Sequence, residues 1–226
     1  MSKGITYILT GYYGSGKTEF CVNLAKYIAE ESRGEVTVAD LDVINPYFRS
    51  REKVEELAGS GITVMGDSLD NNTGQDLPAV SYAFLSRVRK GENVIMDLAG
   101  GENGIKLLPS CYDAISKAGA YEFLCILNLF RKETYTPQKM IGFVRKINGM
   151  GKLSITGLVN NGHMLHDTTA EHVLESQKAI LEAAAVLGVP LKYTLVKQDI
   201  YNEISDEIKS EKVLVFDKLI MRESWQ

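Results

Sequence analysis

The sequence predicts an α/β fold in which helices cover both faces of a mainly parallel sheet. Short apolar runs rich in β-branched residues alternate with longer amphipathic stretches along the 226 residues. This alternation is typical of parallel strands that are buried on both faces and joined by helices. No internal repeat, low-complexity tract or linker-like segment interrupts it, so a single domain over residues 1–226 is expected.

In chain order, the first strand is predicted at residues 5–10, and a glycine-rich loop and a helix follow it. Further strands are predicted at residues 35–40, 62–65, 93–97, 122–128, 154–160 and 191–196. Further helices are predicted at residues 47–57, 78–88, 137–147 and 168–187, with Thr168 or Asp167 capping the last one. Two short helical stretches are predicted in residues 199–226, around the apolar run 213–216.

Composition and charge narrow the range of functions. The 45% hydrophobic and 24% charged residues are ordinary for a soluble globular protein, and the net charge of −4 argues against nucleic acid as a partner. No apolar run approaches the roughly 20 residues that a membrane span needs, so no stable membrane insertion is expected. The first residues lack a signal-peptide pattern, and the three cysteines are widely spaced. A cytoplasmic protein with reduced cysteines is therefore expected.

Residues 11–18, with the sequence GYYGSGKT, match the phosphate-binding pattern G-x-x-x-x-G-K-[ST] at every fixed position. Glycines let backbone N–H groups approach a phosphate without an intervening Cβ, and the N-terminus of the following helix adds partial positive charge. Lys17 is expected to reach the β- and γ-phosphates, and the Thr18 hydroxyl to bind Mg²⁺. A chance match in a glycine-rich turn is the alternative, which the flanking strand and helix disfavour.

The predicted fold is therefore the three-layer fold of the P-loop NTPases. The nucleotide-binding residues predicted in this segment are Gly11, Gly14, Ser15, Gly16, Lys17, Thr18 and Glu19.

Carboxylates end two other predicted strands. Asp97 closes the strand at 93–97 in the Walker B pattern, and its carboxylate is expected to hold Mg²⁺ directly or through water. Asp42 is expected to orient or deprotonate the attacking water, or to hold Mg²⁺ through water, while Asp40 braces it. Acids that merely end a turn are the alternative in both places. The predicted catalytic residues are Lys17 and Asp42, and the predicted metal ligands are Thr18, Asp42 and Asp97.

Asn160 ends the strand at 154–160, where a base-recognition loop is expected. Its amide both donates and accepts hydrogen bonds, which suits the edge of adenine. A guanine site normally adds a Lys and an acid shortly after the Asn, whereas Asn161, Gly162 and His163 follow here. ATP is therefore favoured over GTP, and the expected cofactors are ATP or ADP with Mg²⁺.

These motifs resemble those of the MinD/ParA-like P-loop ATPases, in the wider class of signal-recognition, MinD and BioD-type NTPases. The matching residues are Gly11 to Thr18, Asp40 to Asp42, Asp97 to Gly100 and Asn160. The resemblance implies a nucleotide-dependent switch in which ATP lies at the interface of a homodimer and an unidentified protein partner controls hydrolysis.

One position departs from the family pattern. The signature lysine, which in the family contacts the phosphates of the partner subunit, is replaced by Tyr12. Either the positive charge of that lysine is absent from this protein, or another residue supplies it, and the candidates are Arg49, Arg51, Arg131 and Lys132. Hydrolysis by the chain alone is therefore expected to be slow.

Two other functions stay open on sequence grounds. Relatives such as dethiobiotin synthetase and the cobyrinic acid amidating enzymes use this site to phosphorylate a small carboxylate. Residues 70–75, Arg49 and Arg51 are then candidate contacts of a small-molecule substrate. The second alternative is a nucleotide-binding adaptor without turnover, which the Tyr12 replacement suggests.

Overall fold

The computed structural model describes residues 3–32, 35–42, 54–66 and 83–220 of the chain. Within these residues eight strands form one sheet, and each neighbouring pair is parallel. The strands are β1 (Thr6–Thr10), β2 (Val36–Leu41), β3 (Ile62–Met65), β4 (Asn93–Leu98), β5 (Tyr121–Leu127), β6 (Gly157–Asn160), β7 (Leu191–Lys197) and β8 (Lys212–Phe216). Their order across the sheet is β3-β2-β4-β1-β5-β6-β7-β8.

Helices cover both faces of this sheet. The helices in the described residues are α1 (Lys17–Ser32), α2 (Val54–Ala58), α3 (Phe84–Lys90), α4 (Glu102–Ile105), α5 (Leu108–Ala118), α6 (Pro137–Gly149), α7 (Ala170–Leu187) and α8 (Gln198–Ile204). Along β1, Tyr7 and Leu9 pack into a buried cluster with α1, whereas Ile8 packs into the cluster that includes α5 and α6. This arrangement confirms the predicted three-layer α/β fold.

The strand that precedes the glycine loop lies in the middle of the sheet. β1 is flanked by β4 and β5, and its Leu9 is in register with Asp97 of β4. On the other side of β4, Asp40 of β2 is also in register with Asp97. Because the strands are parallel, their C-terminal ends lie along one edge, where the loops after β1, β2, β4 and β6 come together. The predicted site residues follow these strand ends.

The predicted helical stretch around 213–216 is wrong. These residues belong to β8, which pairs in parallel with β7 at the edge of the sheet. A short apolar run fits a strand or a buried helix equally well, and here the free edge of β7 favours the strand. The described residues of this part of the chain include the helix α8, which begins earlier, at Gln198.

Two other differences concern helices. No helix is predicted between residues 97 and 122, yet α4 and α5 lie there. The buried residues of α5 repeat every three or four positions, which is a detectable helical signal: Leu108, Cys111, Ala114, Ile115 and Ala118. The cap of α7 is Thr169 rather than Thr168 or Asp167. Thr168 is instead occupied in the preceding turn, where its hydroxyl donates to the Leu165 carbonyl.

The structure describes two further predicted helices only in part. The predicted helices at 47–57 and 78–88 lie partly outside the described residues, which contain α2 and α3. Cys21, Cys111 and Cys125 are buried and form no disulfide. Across the described ranges, no helix is long and apolar enough to cross a membrane.

Candidate nucleotide site

The loop between β1 and α1 has the backbone conformation that an anion site requires. Gly14 and Gly16 have φ angles of +73° and +82°, in the left-handed region that favours glycine. Gly11 has no room for a side chain, because a Cβ there would lie 2.5 Å from the Ile126 carbonyl oxygen. These glycines let the loop curl into the concave arrangement of N–H groups that binds phosphate.

Lys17 begins α1 and is buried against this loop, with 7% of its surface exposed. Its Nζ donates a long hydrogen bond of 3.5 Å to the carbonyl of Tyr12. Burial lowers the pKa of Lys17, and the nearby carboxylates of Asp97 and Asp42 act in the opposite direction. A cation in this position is available to counter the charge of a bound phosphate.

Three acidic side chains lie together at the ends of β2 and β4, and each is at most 7% exposed: Asp40, Asp42 and Asp97. Asp40 Oδ1 accepts a hydrogen bond of 3.2 Å from the Asp42 backbone N–H, so Asp40 braces its neighbour. Burial raises the pKa of Asp97 to about 7, against the lowering effects of Lys17 and of a hydrogen bond with Thr18. Three carboxyl groups beside one lysine favour the binding of a further cation.

This group of oxygens fits Mg²⁺. Thr18 is hydrogen-bonded to Asp97, and Asp97 Oδ1 has no hydrogen-bond partner among the residues that the structure describes. Mg²⁺ prefers oxygen ligands and usually takes one or two carboxylates together with waters and phosphate oxygens. In the described ranges, no cluster of three or more His, Cys, Asp or Glu side chains is arranged to hold a metal. A cation here would therefore share its ligands with the nucleotide.

A cavity of about 310 Å³ extends from the glycine loop to the ends of β7 and β8. One end is lined by Lys17, Thr18 and Asp42, and the far end by Lys197, Asp199 and Phe216. Its volume lies at the lower end of the range for small-molecule sites, about 300–1,000 Å³. Lys17 at one end and Phe216 at the other suit a ligand that carries phosphates on one side and a flat ring on the other.

Asn160 is not among the residues that line this cavity. It is fully buried, its Nδ2 donates to the Val173 carbonyl, and its Oδ1 accepts from the Gly162 N–H, both at 3.1 Å. An adenine contact by Asn160 stays a prediction, and it would require these two bonds to be given up. The next residue, Asn161, does line the cavity, and its Nδ2 donates to the Ser15 carbonyl at 2.7 Å.

Glu19 and Ser15 differ in what their side chains contact. Glu19 Oε1 accepts hydrogen bonds from Asn23 Nδ2 at 3.2 Å and from the Ile220 backbone N–H at 2.9 Å. Glu19 therefore holds the C-terminal segment against α1 at the cavity wall. Ser15 Oγ, by contrast, is buried beside Gly11 and has no hydrogen-bond partner within the described part of the chain, and Ser15 does not line the cavity.

The two tyrosines of the loop pack in different places. The Tyr12 ring stacks on Phe143 of α6, with 4.3 Å between the ring centroids. The Tyr13 ring covers Gly100, where a Cβ would lie only 2.7 Å from the ring. The Gly101 N–H donates to the Gly11 carbonyl at 2.9 Å, so the loop after β4 is held directly against the glycine loop.

Three contacts to the glycine loop involve side chains outside the sequence motifs, and of these Arg131 alone is among the candidates for the missing charge. They come from Asn161, from His163, whose Nε2 lies 3.1 Å from the position of a Cβ on Gly16, and from Arg131, whose Nε donates to the Gly14 carbonyl at 2.9 Å. All three side chains follow the buried strands β5 and β6, so their location after strand ends is the signal that could have identified them. Arg49, Arg51 and residues 70–75 lie outside the described residues.

Comparison with known proteins supports the fold. No family model and no characterised protein sequence matches the chain. The solved chloroplast FtsY of Physcomitrella patens is similar over 86% of this chain and 59% of its own, with a TM-score of 0.58 and 19% identity. The Signal Recognition Particle 54 kDa protein of Aeropyrum pernix, in complex with GDP, is similar over 85% of this chain and 41% of its own, with a TM-score of 0.52 and 22% identity.

A third structure is the signal recognition particle receptor FtsY of Elizabethkingia anophelis, in complex with GDP. It is similar over 86% of this chain and 57% of its own, with a TM-score of 0.50 and 15% identity. The chain has the P-loop NTPase fold. At these identities the likeness establishes the fold alone, and it does not single out the MinD/ParA branch. The chain spans about six-tenths or less of the length of these structures.

Proposed function

We propose that the chain binds a purine nucleoside triphosphate with Mg²⁺ and hydrolyses it slowly, as a cytoplasmic switch that a protein partner controls. The observation that carries this proposal is the buried Lys17 beside the glycine loop, close to Asp97 and Asp42, at one end of an elongated cavity. A loop of this conformation with a lysine at its base serves to bind the β- and γ-phosphates.

Each residue at the phosphate end has a role in hydrolysis under this proposal. The loop N–H groups and Lys17 stabilise negative charge on the terminal phosphoryl group, and Asp42, braced by Asp40, orients the attacking water. Thr18 and Asp97 would hold Mg²⁺, with Asp42 contributing through water, and the ion would supply positive charge that offsets the charge of the phosphate.

Two observations bear on which purine base the site binds, and they favour different bases. The sequence favours ATP, because no Lys and acid follow Asn160 in the manner of a guanine site. Two structural neighbours were solved with GDP, which favours GTP. The proposal is therefore made for purine nucleotides as a class, and direct competition between ATP and GTP decides the base.

The contacts of the loop after β4 support the switch. Gly101 donates to Gly11, and Tyr13 packs on Gly100, so a phosphate that reorganises the glycine loop also displaces the loop after β4. One structural neighbour is named as a receptor for the signal recognition particle, which is an example of this fold acting with a partner. A homodimer or an unidentified protein is the partner proposed here.

The test combines hydrolysis with oligomeric state. Phosphate release from ATP and GTP is measured for the wild type, for Asp42→Asn and for the exposed control Asp113→Asn, and each protein is sized with no nucleotide, with diphosphate and with a β,γ-imido triphosphate. We expect Asp42→Asn to keep triphosphate binding but to release phosphate at least about tenfold more slowly, and the control to match the wild type. A protein that responds identically to diphosphate and triphosphate and releases no phosphate, with or without cellular extract, is not a switch.

A further inference from the structure

Arg131 lies at the rim of the phosphate loop. Its Nε donates a hydrogen bond of 2.9 Å to the carbonyl of Gly14, across 117 positions of sequence. Gly14 is central in the glycine loop and has a φ of +73°. The guanidinium is therefore fixed to the loop that would surround the β- and γ-phosphates.

The turn that carries Arg131 is held by several hydrogen bonds. Asn128, fully buried after β5, donates through Nδ2 to the His163 carbonyl at 3.1 Å and accepts at Oδ1 from the Phe130 N–H at 3.0 Å. Its carbonyl accepts from the Arg131 N–H at 3.3 Å and from the Thr134 hydroxyl at 2.6 Å. Arg131 is thus presented by a pre-organised turn, as a side chain that acts on a reacting group needs to be.

The charge of Arg131 is not used elsewhere in the described structure. Within the described ranges, no Asp or Glu forms an ion pair with Arg131, and its Nη atoms make no hydrogen bond to protein. A guanidinium has five N–H donors, so the bond to Gly14 leaves four for a ligand. A planar, always charged group with free donors is suited to bind phosphate oxygens in pairs.

Tyr12, at the second position of the loop, does not supply a charge there. Its ring is turned onto Phe143, away from the phosphate end of the cavity, which it does not line. Lys17 gives the loop one cation, whereas the transferring phosphoryl group spreads negative charge over three oxygens. A second cation is what the chemistry lacks. Arg131, like Tyr12, does not line the cavity, but it carries a charge and bonds directly to Gly14, which does line it.

We propose that Arg131 is a catalytic residue, which contacts the terminal phosphoryl group through its Nη atoms while its Nε stays bonded to Gly14. This proposal rests on the proposed function. In the reaction a water oxygen forms a bond to the γ-phosphorus as the bond from that phosphorus to the bridging oxygen breaks, and the electron pair leaves with the diphosphate. The water loses one proton, so the products are the nucleoside diphosphate, inorganic phosphate and one proton. Arg131 stabilises the charge on the oxygens of the transferring group.

The test separates contact with the terminal phosphate from support of the loop. Affinities for diphosphate and for the β,γ-imido triphosphate, in adenosine and guanosine forms, are measured for the wild type, Arg131→Ala, Arg131→Lys and Arg145→Ala. Arg145 is an exposed arginine of α6 and serves as the matched control. Single-turnover phosphate release is measured on the same proteins.

For Arg131→Ala we expect an affinity for the nucleoside diphosphate within about twofold of wild type and an affinity for the imido triphosphate that is reduced about tenfold. The rate of phosphate release should fall about 10³-fold, as it does when other arginine residues of this role are removed. Arg131→Lys should resemble Arg131→Ala, because one ammonium cannot bond to Gly14 and pair with the phosphate together. Equal loss of both affinities, or no loss of either, overturns the inference. A wild type that binds neither nucleotide refutes the proposed function itself, whereas a wild type that binds both with an indifferent Arg131→Ala refutes only the role of Arg131.

Discussion

Asn161 Nδ2 donates a hydrogen bond of 2.7 Å to the carbonyl of Ser15, which lies 146 positions earlier in the chain. Asn161 is only 4% exposed, and the bond ties the loop after β6 to the glycine loop after β1. The same amide fills the space next to Gly16. The loop after β6 and the glycine loop, both of which line the cavity, are therefore directly connected.

Asn161→Ala should weaken nucleotide binding more than Asn160→Ala. Loss of the amide leaves the Ser15 carbonyl without its buried donor, so the glycine loop relaxes and nucleotide affinity falls about tenfold or more. Asn160 does not itself line the cavity, and Asn160→Ala removes its two backbone hydrogen bonds, to Val173 and Gly162. It should reduce the free energy of unfolding by about 1–3 kcal/mol with a smaller effect on binding. Titration with a fluorescent nucleotide and urea unfolding give the two readings. A greater loss of binding in Asn160→Ala would instead support its predicted contact with the base.

Gly16→Ala should abolish nucleotide binding, whereas Gly119→Ala should not. Both glycines have positive φ, so each alanine costs about 1 kcal/mol or more in backbone strain. A Cβ on Gly16 would also lie 2.1 Å from Asn161 Nδ2, while a Cβ on Gly119 meets nothing within 4 Å. If the two variants lose similar free energy of unfolding but only Gly16→Ala loses nucleotide binding, the close packing around Gly16 is required for binding. Binding retained by Gly16→Ala would contradict the tight packing of the loop.

Asp97→Asn should remove the dependence of nucleotide binding on Mg²⁺. The carboxylate is hydrogen-bonded with Thr18, and its Oδ1 has no hydrogen-bond partner in the described residues, so it is available to the ion. Nucleotide affinity is measured with Mg²⁺ and with EDTA for Asp97→Asn and for the exposed control Asp206→Asn. The wild type and the control should bind more tightly with Mg²⁺, and Asp97→Asn should bind equally in both buffers. An unchanged Mg²⁺ effect in Asp97→Asn would exclude Asp97 as a ligand.

Alkaline pH should destabilise the fold through Tyr7. Burial, with smaller effects of Glu122 and Tyr27, raises the pKa of Tyr7 to about 12. Between about pH 10, where an unfolded tyrosine loses its proton, and pH 12, the unfolded state binds fewer protons, so stability falls as pH rises. This group contributes a loss of roughly 2–3 kcal/mol over that window.

Urea unfolding at several pH values from 9 to 11 compares the wild type with Tyr7→Phe. The variant should lose stability less steeply above pH 10, whatever its stability at pH 8. Parallel curves would mean that Tyr7 does not hold its proton more tightly in the folded state than in the unfolded state.

The sheet and the glycine loop could be predicted because their signals are local. Each β-branched apolar run is short and bounded, and the spacing of Gly11, Gly14 and Gly16 follows from the backbone conformation that the loop adopts. The same local signal failed for 213–216, because the choice of strand over helix depends on the free edge of β7, which sequence periodicity does not contain. The helical period of the apolar residues in α5 is present in the sequence, but no functional motif lies there, and this helix is not among the predicted elements.

Sequence patterns indicate the contacts that complete the site only in part: Arg131 is among the candidates for the missing charge, but its bond to the glycine loop and that of Asn161 are not predicted. Arg131 and Asn161 reach the glycine loop from strand ends that are far apart in sequence, and only the order of the strands brings them together. Glu19 is among the predicted nucleotide-binding residues, and that contact stays a prediction; its bond to the Ile220 backbone, 201 positions later in the chain, follows from no local pattern. Local sequence therefore indicates the chemistry of a site better than it indicates the partners of each side chain.

The central claim, that the glycine loop and Lys17 bind the phosphates of a purine nucleotide, is tested most directly by calorimetric titration. ATP, ADP, GTP and GDP with Mg²⁺ are titrated into the wild type, Lys17→Ala and the exposed control Lys178→Ala. We expect one site per chain for at least one purine nucleotide, an affinity reduced at least about tenfold, or 1.4 kcal/mol, in Lys17→Ala, and no change in the control. Equal binding by the wild type and Lys17→Ala, or no binding of any of the four nucleotides by the wild type, would contradict it.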